Sequence, residues 1–394
     1  MMSVCEAQYV CISSRKDNCF MKKRISILLA LALLGTTIMA GCGKEEKEIK
    51  NDSMLDSIKD EVKVEEPESV EEEKPVEEDT EGKYQSELTG LWIDEALKDQ
   101  RPLAVMVDNE KTALPHYGTS DADIVYEMMN STANDRVTRL MVIMKDWKNL
   151  ERLGSIRSVR PTNVILAAEY NAILCHDGGP FYIDPYIAKP YNTNISGGFS
   201  RINNGKAREF TEYLTQEDSS NPERTLDARI EQSKIKTEYT KDEFKEPHFN
   251  FADEEFELDD KDAIDATEIV LPFKHNGSTL KYNKDTGLYE YYEYGSQYKD
   301  EGNGSVLAFK NLILEKCTFH QYDENGYLIY NCLDKNLDGY YITNGKAIPI
   351  KWWKIGETAF STFLKKNDDP LVINRGKTYI SLVPDDGWKN LSIK

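Results

Sequence analysis

Apolar positions change their spacing twice along this chain, and the changes divide it. Ile25 to Met39 is a mainly apolar run behind Lys22, Lys23 and Arg24, shorter than a mature membrane-spanning helix needs. Beyond residue 84 the apolar blocks are short and bounded by polar turns. Pro102 to Val107 ends in Asp108-Asn109, and Ile124 to Met129, Arg139 to Met144 and Ala172 to His176 have the length and residue types of buried strands. Pro161 opens a helical stretch, Thr162 to Tyr170, because its fixed φ suits a first helical turn. Strands interleaved with a helix predict an α/β lobe over residues 85–252.

From residue 253 the spacing falls to two and tyrosine becomes frequent. The turn signals His275-Asn276-Gly277, Asp285-Thr286-Gly287, Asn325-Gly326, Asp338-Gly339 and Asn344-Gly345 separate strand-like segments at 269–273, 287–294, 305–309, 312–320, 327–332, 339–343 and 378–383. The fold class expected is therefore α+β or α/β, a mixed-sheet N-terminal lobe followed by a mainly antiparallel β lobe over residues 253–394. At a spacing of two, the tyrosines and Trp352-Trp353 read as sheet faces and core before they read as platforms for sugar rings.

The N-terminal run has the layout of an export signal. Basic residues, an apolar core and the small residues Ala40 and Gly41 lead to Cys42, so Met39-Ala40-Gly41-Cys42 resembles a lipobox with Met where Leu is usual. Residues 1–41 are expected to be an upstream extension and lipoprotein signal peptide, with Met21 a second start. Cys42 is expected to carry the lipid, including palmitate-type acyl chains. Between Gly43 and Gly82 stand 17 Asp or Glu and 6 Lys, a net −11 of the chain's −20. That composition cannot bury enough apolar surface to order itself, so residues 42–84 read as an acidic disordered tether. The remaining charge is also acidic, which argues against nucleic acid as a partner.

Several side-chain types could carry chemistry. Asp108 and Asn109 end one strand, Glu127 lies on another, and His176-Asp177 end a third. Asp108, Glu127 and His176 are the candidate catalytic groups, since a desolvated carboxylate can act as general acid and an imidazole as base. In Arg157-Ser158-Val159-Arg160-Pro161, two guanidinium forks meet a helix start, where carboxylate or phosphate would bind. Equally, one arginine could pair with Asp108, Asp123 or Glu127 and only brace the lobe. Arg139, Asn109 and Asp177 join Arg157 and Arg160 as candidate ligand-binding residues. Asp334 to Gly339 imitates the opening of a calcium loop, but the twelfth position is Gly345, so it reads as a turn. No zinc spacing, nucleophile elbow or phosphate loop is present, and neither metal nor cofactor is expected.

These residues carry a resemblance. Arg101 to Asn109, Ala122-Asp123-Ile124-Val125-Tyr126-Glu127, Thr138-Arg139, Ile156 to Pro161, His176 to Gly179 and the closing Asn374-Arg375-Gly376-Lys377-Thr378 together resemble the YerB-like lipoproteins of Gram-positive bacteria. The resemblance covers about residues 90–385 and implies an exported, two-lobed lipoprotein on the outer face of the cytoplasmic membrane, but little chemistry. The chain departs from the pattern at Ser155, where proline is expected, and at Asp177, where a small residue is usual.

Cys175, Cys317 and Cys332 remain after processing. A hairpin turning at Glu324-Asn325 puts Cys317 opposite Cys332 and within reach of a disulfide, whereas a turn at Asn325-Gly326 leaves both as buried thiols. The function expected is that of a cell-envelope lipoprotein binding a wall component, such as a peptidoglycan fragment, in an Arg/His/carboxylate cleft. One alternative is a peptidoglycan-cleaving enzyme with Glu127 or Asp108 as acid. Another is an accessory protein for a membrane-bound envelope enzyme.

Overall fold

A computed structural model describes residues 80–240 and 247–394. The signal segment, Cys42 and nearly all of the tether lie outside the described residues. Eleven strands form one central sheet. The N-terminal half supplies Leu103–Asp108, Ile124–Met129, Thr138–Met144, Ile173–His176 and Thr193–Ser196. The C-terminal half supplies Ile264–Asp265, Asn311–Cys317, Leu337–Thr343, Lys346–Trp353, Thr362–Lys365 and Thr378–Pro384.

The two halves meet inside this sheet. Thr378–Pro384 lies parallel between Asn311–Cys317 and Ile124–Met129, with Ile380 opposite Tyr126 and Leu382 opposite Met128. Toward one edge the N-terminal strands are mixed: 124–129, 138–144 and 103–108 pair antiparallel, then 173–176 and 193–196 follow parallel. Toward the other edge the C-terminal strands pair antiparallel. The mixed N-terminal and mainly antiparallel C-terminal sheets thus agree with the sequence.

The α/β expectation fares less well. Among the described residues the α-helices are Pro161–Glu169, Asp184–Ile187 and Leu226–Gln232, of 9, 4 and 7 residues, too few to cover both faces of the sheet. An α/β lobe would carry helical layers on both faces. On one face the cover is instead a second, antiparallel sheet built on Glu268–Val270, Thr279–Asn283 and Leu288–Glu293. Successive side chains of a strand point to opposite faces. Tyr126 accordingly reaches the helix, its hydroxyl 3.1 Å from Glu169 Oε1 and 2.7 Å from the Tyr170 hydroxyl, while Glu127 faces the second sheet.

Asn344-Gly345, with φ of 49° and 76°, makes the two-residue turn that the sequence signals, since both positions need positive φ. The strand beyond it, Lys346–Trp353, was not signalled because Pro349 interrupts it. In register Pro349 sits opposite Tyr340, and on its other flank Ile264–Asp265 and Thr362–Lys365 pair only with the residues around it. A proline is tolerated where no ladder bond is demanded of its nitrogen. Trp352 is fully buried, as its place on a sheet face implied.

Candidate anion-binding cleft

The sequence-predicted site residues separate into three places. Glu127 and Asn109 are sealed between the two sheets. Glu127 Oε1 accepts from Thr138 Oγ1 at 2.7 Å and Ser278 Oγ at 2.6 Å, and Oε2 accepts from the hydroxyls of Tyr291 at 3.0 Å and Tyr379 at 2.6 Å. Burial raises its pKa, and these four hydroxyls pull it back. Asn109 Nδ2 donates to Thr138 Oγ1 at 2.8 Å, and neither residue has measurable exposure. A general acid needs access to the leaving group, which Glu127 lacks.

His176 and Asp177 form a second place at the end of strand 173–176. His176 is buried, with Nδ1 2.9 Å from Gly178 O and Nε2 3.3 Å from Asn194 Oδ1, and burial lowers its pKa. Asp177 is held 3.1 Å from Arg201 Nη2, which also pairs with Glu212. Desolvation and the neighbouring Asp177 carboxylate raise Glu212 to about 7. The extra charge beside His176 is therefore absorbed by an arginine outside the family motif.

The third place is a cleft of about 620 Å³ where Arg139, Arg157 and Arg160 converge. Arg139 stands opposite Asp108 in the sheet register. Its Nη1 donates to Ser158 O at 2.8 Å, and its Nη2 lies 3.9 Å from Asp108 Oδ1. Arg157 is aimed back by its own amide, which donates to Met106 O at 2.9 Å. Its Nε lies 2.6 Å from Asp108 Oδ2, at an angle short of a hydrogen bond, and its Nη2 lies 2.8 Å from Glu209. Arg160 caps the helix and lays its guanidinium 4.2 Å from the Tyr327 ring centroid. The helix start does not line the cleft: Arg160 does, but Pro161, Thr162 and Asn163 do not, and Asn163 N donates to Arg160 O at 3.0 Å.

The cleft carries charges of both signs. Arg139 and Arg157 flank one buried carboxylate, Asp108, Arg160 lies apart on Tyr327, and Glu110, Glu209 and Glu324 line the rim, Glu209 about half exposed. Burial pushes Arg139 down to about 9 against the pull of Asp108, and Arg160 and Arg157 push it further. Burial also lowers Arg160. The Nε atoms of Arg139 and Arg160 and Oδ1 of Asn130 are buried without partners. A buried charge needs a counter-charge or a ligand, and the cleft supplies room for one.

The far wall comes from the C-terminal half. The hairpin of Phe319–Gln321 and Leu328–Tyr330 brings Glu324, Asn325 and Tyr327 over the arginines. Its tip is pinned by Ser131 Oγ donating to Asn325 O at 2.7 Å and Thr132 N donating to Gly326 O at 2.9 Å. Sequence reasoning found Asn325-Gly326 as a turn but had no signal for its docking site. A hollow of about 690 Å³ beside Arg201 and the 216–221 loop is larger, but among the sequence-predicted residues it contains none.

Family comparison agrees with this architecture. The family described as "protein of unknown function (DUF3048)" matches with its N-terminal domain over residues 88–242 and its C-terminal domain over residues 269–380. YerB of Bacillus subtilis (strain 168), named as a lipoprotein, is 24% identical over 316 residues, spanning 78% of this chain and 88% of YerB. The chain belongs to the YerB-like family. A crystal structure of the Bacillus subtilis YerB protein superposes with a TM-score of 0.65 at 21% identity, covering 79% of this chain and 99% of that one. Within the YerB-like frame the Gly154–Ser155 peptide is cis, at the departure from the expected proline. Among the described residues no helix is long and apolar enough to cross a membrane, and no group of three His, Cys, Asp or Glu is placed to hold a metal ion.

Proposed function

We propose that this YerB-like lipoprotein is an envelope binding protein, lipid-anchored through Cys42 outside the cytoplasmic membrane, that holds an anionic wall component in the Arg139–Arg157–Arg160 cleft. The observation carrying this reading is the convergence of Arg139, Arg157 and Arg160 on one open cleft, where Asp108 is the carboxylate buried against Arg139 and Arg157 and, among the described residues, Arg160 has no carboxylate in contact with it. Carboxylates of a peptidoglycan stem peptide suit planar, bidentate forks. The glycan-cleaving alternative is disfavoured because Glu127 is sealed by four hydroxyl donors and Asp108 is held between two arginines.

The test is incubation of the full-length protein, purified in detergent, with peptidoglycan, followed by pull-down and mass analysis of the supernatant. Retention without released fragments, lost in Arg160→Ala, supports the binding reading. Released fragments that disappear in Asp108→Asn would replace it with an enzyme, and absence of both would turn the search toward a protein partner such as a membrane-bound envelope enzyme.

A further inference from the structure

Beside the cleft lies a partly exposed cluster of aromatic rings, of which Tyr186 also packs against the core. Phe181 is 84% exposed and Tyr322 39% exposed. Tyr182 stacks on Tyr322 with ring centroids 4.2 Å apart and 24° between planes, and Phe181 meets Tyr182 edge-on at 5.1 Å. The Tyr186 and Tyr322 hydroxyls are 3.1 Å apart. Phe181 and Tyr182 follow the Gly178-Gly179-Pro180 turn, whereas Tyr322 comes from the hairpin that roofs the cleft. The surface is thus assembled from both halves of the chain.

Two observations join it to the arginines. Tyr322 N donates to Tyr327 O at 2.7 Å, and Tyr327 is the ring on which Arg160 lies. The Tyr182 hydroxyl is buried without a hydrogen-bond partner, and Arg160 and Tyr182 perturb each other's charge.

A pyranose ring matches this surface. It offers an apolar C–H face to an aromatic ring and hydroxyls at its rim, and tyrosine has an apolar body and a polar tip. A purely apolar ligand would leave the adjoining arginines unmatched, and a purely ionic one would leave Phe181 and Tyr322 uncovered.

We infer that the Phe181–Tyr182–Tyr322 surface is a saccharide subsite contiguous with the arginine cleft, so that the ligand is an anionic glycan fragment whose sugar stacks here while its carboxylates enter the cleft. This rests on the anion-binding reading of the cleft and names its substrate class.

Calorimetric titration of the full-length protein with two probes tests it. One is a set of disaccharide-peptides freed from purified peptidoglycan by a muramidase, and the other is the same stem peptides freed of sugar by an amidase. The sugar-bearing probe should bind about tenfold tighter. Phe181→Ala with Tyr322→Ala should remove that advantage and leave stem-peptide affinity unchanged, whereas Arg160→Ala should weaken both. Equal affinity for the two probes, or equal loss of both in the aromatic variant, overturns the saccharide subsite and leaves the cleft reading standing. Failure of both probes to bind the unaltered protein overturns the two together.

Discussion

Glu127 shows how a residue that looks catalytic in sequence can be structural. Its strand is buried along its whole length, its neighbours are apolar, and a carboxylate there suggests a purpose. The purpose is a buried knot of hydroxyls tying the second sheet to the first through Ser278, Tyr291 and Tyr379. Glu127→Gln should therefore cost roughly 1–3 kcal/mol of stability, because an amide cannot accept from all four donors, yet leave ligand affinity within about twofold. Denaturant unfolding and titration of the same variant would check both halves. His248 makes the complementary case. It stacks on Tyr170 at 4.1 Å, and neither ring nitrogen has a partner. Burial lowers it from 6.5 to about 4, so the native state holds it neutral. Its contribution is complete above pH 6.5 and is lost as pH falls through about 4. His248→Phe keeps the stacking and removes the proton site, so its stability relative to the unaltered protein should grow by about 3 kcal/mol between pH 7 and pH 4. Glu212, raised to about 7, and Asp123, raised to about 6, tilt the absolute curve the other way. The difference between variants is therefore the measurement, and a pH-independent difference would refute the assignment. Which residues sit at strand ends was legible in the sequence. Which of them face the sealed side was not, because that depends on a sheet contributed from more than 150 residues away.

At the scale of elements, the hairpin 319–330 decides both the cleft and the fate of two cysteines. Phe319 pairs with Tyr330 and Gln321 with Leu328, which is the register of a turn centred on Glu324-Asn325, the one that puts Cys317 and Cys332 opposite. Yet both are buried free thiols. The ladder ends one bond past Phe319–Tyr330, where Asn331 N donates to Thr318 O at 2.9 Å, and Cys317 is claimed by the central sheet, where it faces Pro384 and its carbonyl accepts from Asp385 N at 3.0 Å. Register alone does not bring two sulfurs to bonding distance. Burial raises the pKa of Cys175 and Cys332 to about 12 and also raises that of Cys317, which suppresses the thiolate. In the native protein none of the three should react with maleimide, and in denaturant without reductant all three should. Only one of the three reacting after unfolding would mean that a bridge forms. The spacing of turn signals made this hairpin readable, whereas the strand 346–353 escaped because Pro349 is informative only once its flanking partners are known.

For the whole molecule, the sequence suggested two lobes with a boundary at 252, and the family itself is described in two domains. The change of texture is real, but the sheet ignores it. Removing Thr378–Pro384 would strip Ile124–Met129 of a partner, expose the centre of the sheet and leave Glu127 without the Tyr379 hydroxyl. Long-range pairing of this kind has no local signature, since 378–384 reads like any apolar strand and its partners lie 67 and 254 residues earlier. If the shared sheet governs stability, residues 80–394 should unfold in one transition by both far-UV and near-UV circular dichroism. A fragment of residues 80–252 should then show no cooperative unfolding and should aggregate through the unpaired edge of Ile124–Met129. A cooperative transition in that fragment would instead establish the N-terminal half as autonomous. The cleft would then be a seam between separately folding units, with ligand affinity that depends on how firmly the 319–330 hairpin is held against Ser131 and Thr132.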